Sequence, residues 1–320
     1  FVIYDSAGNL IKSETTFNTE NTDHISTTTL TSGNVLIAYR DDGDNGKFVI
    51  YDSAGNLIKS ETTFNGAMTT HTSATSLLNG NVLIAYLDGA GTVYGRFIIY
   101  DSVGNLVRSE TTFRSGNTYV PSATTLTNGN VLITYSDASF DGTFVIYDGA
   151  GNLVKSATVF SATSGYSHPL IPTHLTNGNV LIGYNDTEDL GYGSFVIYDS
   201  VGNLVKSETT FNLGYTSFNS VPVTLTSGNV MIVYIDDASE WYDPGYGNFV
   251  IYGSSGASFA NMVGIGTTDP TASLHVAGTL RFSDFGAGSL ITDSSGNVSV
   301  SSDERLKDVQ GSFDRGLEEI

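Results

Sequence analysis

The hydrophobic positions of this chain fall into short runs separated by clusters of Gly, Asn, Asp and Ser. Between Ile25 and Phe64 four such runs follow one another: a Thr-rich run A ending at Leu30, run B from Val35 to Tyr39, run C from Phe48 to Tyr51, and run D from Leu57 to Phe64. All are rich in Val, Ile, Tyr, Phe and Thr, which predicts strands. Ser32-Gly33-Asn34 joins A to B and Ser53-Ala54-Gly55-Asn56 joins C to D, both tight turns with Gly where a positive φ is needed. The stretch reads as a four-stranded antiparallel meander.

Close copies of this unit continue to Phe259. Run C begins at Phe1, Phe48, Phe97, Phe144, Phe195 and Phe249, at spacings of 47, 49, 47, 51 and 54. That period, with four strands per unit, predicts β-propeller blades; β-helix coils are much shorter. Run B is apolar on both sides (Val35, Ile37 and Tyr39 against Leu36 and Ala38), as expected when blade packs on blade. Complete sets start near Ile25, Thr70, Ser122, Pro172 and Val221, which makes five blades, and Phe1 to Phe17 adds a partial one with runs C and D only. The expected fold is therefore an all-β propeller over residues 1–260, with at least six blades in the intact ring.

In a meander, alternate loops emerge on the same side. The A–B turns barely vary (Gly33-Asn34, Gly80-Asn81, Gly129-Asn130, Gly178-Asn179, Gly228-Asn229), whereas the B–C and D–A loops differ in length and content. One face is scaffold and the other is diversified. The diversified face carries Tyr94, Tyr119, Phe140, Tyr166, Tyr192, Tyr215, Trp241, Tyr242 and Tyr246 among Asn, Asp and Ser. Aromatic rings beside hydrogen-bonding groups suit glycans, whose C–H faces stack while their hydroxyls need partners. Trp241, Tyr242, Tyr246, Tyr192 and Tyr94 are the expected contacts to a cell-surface polysaccharide; the competing reading has the rings packing on one another.

Two weaker signals lie in the same loops. Asp42, Asp44 and Gly46 have a D-x-D-x-G spacing that could wrap calcium, the one cofactor the sequence hints at, but the other B–C loops repeat only parts of it and a solvated acidic loop is the stronger reading. His24 and His71 occupy equivalent D–A loops, but Tyr119, Ser167 to His168 and Asn219 stand near that place later, so no repeated metal ligand is expected.

Composition narrows the partners. The 320 residues carry a formal net charge of -20, which repels phosphate backbones and anionic headgroups, so nucleic acid and membrane are not expected partners. Without cysteine, disulfides and thiolate metal sites are excluded. Phe1 falls inside a strand run, so a preceding segment is expected upstream.

After Phe259 the repeat stops. The segment from Asn261 to Leu280, NMVGIGTTDPTASLHVAGTL, resembles the stretch found ahead of intramolecular chaperone domains in phage tail fibres and tailspikes. Ser301-Ser302-Asp303-Glu304-Arg305-Leu306-Lys307-Asp308 is similar to the S-S-D-x-R-x-K signature that opens the self-cleaving chaperone of endosialidase tailspikes, the S74 peptidase family. The resemblance implies a Gly-rich β trimerisation stalk at 261–300 and the start of a helical chaperone at 301–320. It further implies a Ser-Lys dyad, with Ser302 as nucleophile, Lys307 as base and cleavage between Ser301 and Ser302. Such domains continue as helices that clasp the other chains of a homotrimer, so the dyad is expected to be inactive in a chain that stops at Ile320. Location in a virion tail or on a cell surface follows from the same resemblance. Ser301 with Glu304 also forms a helix capping box.

Two alternatives remain at this level. A sialidase-like propeller glycosidase needs paired carboxylates or an arginine clamp. Arg40, Arg96 and Arg114 fall in variable-face loops, but no S-x-D-x-G-x-x-W box is present. The third reading makes the repeats a ligand-free spacer.

Overall fold

The computed structural model describes residues 1–89, 91–162, 170–186, 191–237 and 246–253, together with four short strands between 263 and 301. The chain forms two compact units, 1–260 and 261–320.

The first unit opens on a hairpin, β1 (Ile3–Tyr4) and β2 (Leu10–Lys12). The first four-stranded sheet contains β3 (Asp23–Thr29), β4 (Val35–Arg40), β5 (Gly46–Tyr51) and β6 (Leu57–Asn65). The second contains β7 (Thr69–Ser76), β8 (Val82–Asp88), β9 (Tyr94–Tyr100) and β10 (Leu106–Arg114). The third contains β11 (Tyr119–Thr125), β12 (Val131–Ser136), β13 (Gly142–Tyr147) and β14 (Leu153–Ser161). The fourth contains β15 (Ile171–His174), β16 (Val180–Asp186), β17 (Tyr192–Tyr198) and β18 (Leu204–Asn212). A fifth sheet has three described strands, β19 (Tyr215–Thr224), β20 (Val230–Asp237) and β21 (Tyr246–Tyr252). Its expected fourth run lies outside the described residues. Every sheet described in this unit is antiparallel with its strands in chain order, and the unit is a β-propeller of such blades.

Blade packs on blade through both faces of each sheet. Leu36, Ala38, Phe48 and Ile50 of the first blade bury against Val82, Ile84, Tyr86, Ile98 and Tyr100 of the second. The same arrangement recurs at the next three junctions. At the first junction Phe1 and Phe17 of the partial blade cover Ile37, Tyr39, Val49 and Tyr51. Each junction contains the same aromatic pair between C strands, with Phe48–Tyr100, Phe97–Tyr147, Phe144–Tyr198 and Phe195–Tyr252 all at 4.7 Å. Beyond the area buried, such ring pairs contribute about 0.5–1.5 kcal/mol each.

The Thr-rich A strands lie innermost, where they have no strand partner on the axial edge. Their hydroxyls supply the missing hydrogen bonds. Ser26 Oγ accepts from the Ala74 N–H (2.9 Å), and Ser73 Oγ accepts from the Ala123 N–H (3.0 Å). Thr125 Oγ1 donates to the Ser76 carbonyl (2.7 Å), and Thr224 Oγ1 to that of His174 (2.7 Å). Backbone groups that the sheets leave unpaired on this edge are thereby satisfied across blades.

The scaffold face repeats one turn. Asp52 Oδ1 accepts from the N–H groups of Ala54 (2.9 Å) and Asn56 (2.8 Å), and Oδ2 accepts from the Asn56 amide (2.9 Å). Gly55, at φ 76°, completes the turn, and a Cβ there would press on Lys12 and Ile3 of the preceding blade.

In the second unit β22 (Val263–Ile265) pairs in parallel with β23 (Leu274–Val276), and β24 (Ser289–Thr292) pairs antiparallel with β25 (Val298–Ser301). Ser302, Lys307 and the expected chaperone start lie outside the described residues.

Candidate functional site

The variable face has a distinct local geometry where the inner strands begin. In β3, β7 and β11 the pairing slips by one residue at the same place, between Asp23 and Ser26, Thr70 and Ser73, and Tyr119 and Ser122. The inserted residues are left-handed: His24 and His71 both at φ 49°, and Val120 at φ 40°. For non-glycine residues this costs about 1–3 kcal/mol each, and such strain concentrates at functional sites.

The bulges bring two histidines together. The rings of His24 and His71 lie 4.6 Å apart and tilted by 37°. Their places are not repeated in later units, so the sequence predicts no repeated metal ligand there. Adjacent inner strands nevertheless put equivalent positions side by side. That signal was present in the repeat register.

Charged groups surround the pair. Arg40 donates from Nε and Nη2 to the two carboxylate oxygens of Asp23 (2.7 and 2.6 Å), and its Nη1 lies 3.3 Å from Asp44. Burial lowers the pKa of His24 and of His71, and Arg40 lowers both further, while Asp23 opposes. His71 also feels His24. Both imidazoles are therefore neutral near pH 7, able to donate through one nitrogen and accept through the other. His71 Nδ1 is buried and has no hydrogen-bond partner among the described residues.

Aromatic residues stand on the same variable face. Tyr119 stacks on Phe140 at 5.0 Å and 21°. The Arg96 guanidinium lies over Tyr94, 5.6 Å from its centroid. Tyr192 is half-buried at the start of β17. Tyr119, Phe140 and Tyr94 thus pack on protein neighbours while remaining half-exposed. Trp241 and Tyr242 lie outside the described residues, and Tyr246 is described by its backbone alone, at the start of β21.

The acidic loop is occupied by cations of the protein itself. Asp44 faces Arg40, Asp41 faces Lys47 (2.7 Å), and Asp42 is exposed. Among the described residues no group of three or more His, Asp or Glu is placed to hold a metal ion.

Each arginine considered for a carboxylate clamp is already paired. Arg40 holds Asp23, Arg96 holds Asp88 (2.9 Å) and Glu110, and Arg114 holds Asp137 (3.6 Å). Two blades build a fuller cluster around a buried tyrosine. Tyr39 donates to Glu61 (2.8 Å), which also meets Lys47 (2.5 Å), and Tyr86 donates to Glu110 (2.7 Å), which also meets Arg96. In the fourth blade Ser194 replaces the cation. Burial there, together with Asp186, raises the pKa of Glu208.

No protein-family model and no curated protein matches the sequence. The fold is similar to that of an ulvan lyase of polysaccharide lyase family PL25, at 10% identity over 74% of this chain and 71% of the lyase, with a TM-score of 0.54. A second PL25 ulvan lyase structure, bound to -[GlcA(1-4)Rha3S]-, is similar at 9% identity over the same shares, with a TM-score of 0.51. Likeness at this identity bears on the fold alone.

Proposed function

We propose that the propeller recognises a cell-surface glycan on its variable face, as the binding part of a phage tail fibre, tailspike or similar surface appendage. The observation that carries this reading is the contrast between the two faces. One repeats a single turn, whereas the other combines left-handed bulges, a neutral histidine pair and half-exposed aromatic rings. The rings offer stacking surfaces, and the imidazoles offer donors and acceptors for hydroxyls. A propeller of similar fold holds -[GlcA(1-4)Rha3S]-, which supports a saccharide as the ligand class. The paired state of Arg40, Arg96 and Arg114 favours binding over a sialidase-like reaction, since none is free to clamp a substrate carboxylate. Glycan-array binding tests the reading. Loss of Trp241, Tyr242 and Tyr246 together should abolish capture, and capture that survives would count against this face.

The resemblance at the C-terminus supports a second element of the proposal. Residues 261–300 form a trimerising stalk, and Ser302 with Lys307 cuts the chain when the complete chaperone follows. Lys307 removes the Ser302 hydroxyl proton, and Oγ attacks the Ser301 carbonyl carbon. The Ser301–Ser302 C–N bond breaks as its nitrogen takes up a proton, and water hydrolyses the resulting ester. Ser302→Ala should stop release of the tail on a gel while light scattering still reports a trimer. Cleavage that persists in that variant would overturn the dyad.

A further inference from the structure

Asp41, Asp88, Asp137 and Asp186 close the B run of four successive blades, and the repeat shows what each carboxylate meets. In the second blade Asp88 accepts from the Asn65 amide (3.0 Å) and pairs with Arg96 (2.9 Å), which also holds Glu110. In the first, Lys47 bridges Asp41 (2.7 Å) and Glu61 (2.5 Å) in the same way. The third blade has Thr143 and Ala157 at the positions of Lys47 and Glu61, so the bridging cation and the glutamate are lost together. There Arg114, from the position of Asn65, meets Asp137 (3.6 Å) instead.

The fourth blade departs from this rule. It keeps both Asp186 and Glu208, but Ser194 stands at the position of Lys47 and Arg96, and Ser161 at that of Asn65. The strand register is unchanged, with Tyr184 opposite Ser194 as Tyr39 is opposite Lys47. Each serine therefore brings an oxygen where the other blades bring a positive charge or an amide donor. Ser161 and Tyr184 are only 5% and 1% exposed, and neither hydroxyl has a hydrogen-bond partner among the described residues. Burial raises the pKa of Tyr184, and the charges of Glu208 and Asp186 raise it further, so its hydroxyl faces both acidic groups. The sequence has neither Lys nor Arg between Lys155 and Lys206, and Lys155 packs on the scaffold face, where a Cβ on Gly202 would lie 3.2 Å from its Cγ.

Two carboxylates and three hydroxyls thus stand around the place that a fixed positive charge takes in the first two blades. We propose that this cluster is a calcium site, with Asp186 and Glu208 as anionic ligands and Ser161, Ser194 and Tyr184 as neutral oxygen donors. The donor set is all oxygen, which suits a hard cation that takes about six to eight such ligands. Glu208 is exposed, so water reaches that side and completes the shell. Magnesium fits less well, because it demands a near-ideal octahedron. Calcium here does what Lys47 and Arg96 do elsewhere, tying the B strand of a blade to its D strand, and through Ser161 of β14 it also ties the third blade to the fourth.

The full chain, stripped with a chelator, is titrated with calcium by calorimetry and with terbium, whose luminescence is excited through tyrosine. Saturable calcium binding is expected, with a raised Tm and a terbium signal that calcium displaces. Glu208→Gln removes one anionic ligand on the exposed side and should weaken calcium at least about ten-fold, with the β-sheet circular dichroism unchanged. Ser194→Lys restores the arrangement of Lys47 and should abolish the calcium-dependent rise in Tm, while its calcium-free Tm is no lower than the parent's. Asp42→Asn, in the exposed loop of the first blade, should titrate as the parent does. The assignment is overturned if millimolar calcium neither saturates the protein nor raises its Tm, or if Glu208→Gln titrates like the parent. An equal loss in Asp42→Asn also overturns it, since the ion would then be held in the first blade.

Discussion

The rings of His24 and His71 lie 4.6 Å apart although they belong to different blades. Both are left-handed at φ 49°, and the same bulge in neighbouring inner strands holds both. The pair is thus a product of repeat geometry rather than of local sequence.

Burial of both imidazoles makes stability depend on pH in a definite direction. Both pKa values are lowered from the ordinary 6.5, first by burial. The folded state therefore binds fewer protons than the unfolded chain. The contribution is fully present above pH 6.5 and is lost as pH falls through the folded values. His71→Asn should flatten the decline of Tm on acidification below 6.5; an unchanged slope would remove the pair from this role.

Glycine at the start of the C strands is needed for ring packing. A Cβ on Gly95 would lie 2.3 Å from Cε2 of Phe113, and one on Gly46 2.4 Å from Cε2 of Phe64. Gly95→Ala should destabilise the protein by about 1–3 kcal/mol in urea unfolding, through overpacking. Gly66→Ala, where a Cβ meets nothing within 4 Å, should stay within about 0.5 kcal/mol.

Equivalent phenylalanines should differ in cost according to their burial. Phe144→Ala removes a fully buried ring at a blade junction and should cost about 3–5 kcal/mol. Phe249→Ala, at the same repeat position but exposed, should cost less than about 0.5 kcal/mol. Similar losses would mean that Phe249 is covered in solution.

The Asp turns set the acid limit. Burial raises the pKa of Asp101, but hydrogen bonds from Asn105, Val103 and Gly104 outweigh it and leave the value below the ordinary 3.8. Its stability contribution is present above 3.8 and lost as pH falls through the folded value. Asp101→Asn keeps an acceptor for the Val103 and Asn105 N–H groups, but sets a second amide against that of Asn105. A loss of about 0.5–1.5 kcal/mol at pH 7 is expected, with a flatter acid limb in thermal melts.

The blade is legible in the amino-acid sequence alone. Runs A to D in the first unit coincide with β3 to β6 within a few residues at their ends, because alternating apolar residues between Gly-Asn turns leave little freedom of register. Burial of both faces of run B was equally legible, since apolar side chains on both sides of one strand require covering on both. The turns were legible as well, because a positive φ selects glycine locally.

The contents of the variable face come from contacts between strands and between blades. They pair His24 with His71, lock Arg40 to Asp23 and Asp44, and stack Tyr119 on Phe140. The D-x-D-x-G spacing of Asp42, Asp44 and Gly46 is visible in the sequence, but the proximity of Arg40 and Lys47 to that loop is not. Strand and turn preferences depend on neighbours along the chain. The functional face depends on how each blade is placed against the next, and that is set by packing between residues a full repeat apart.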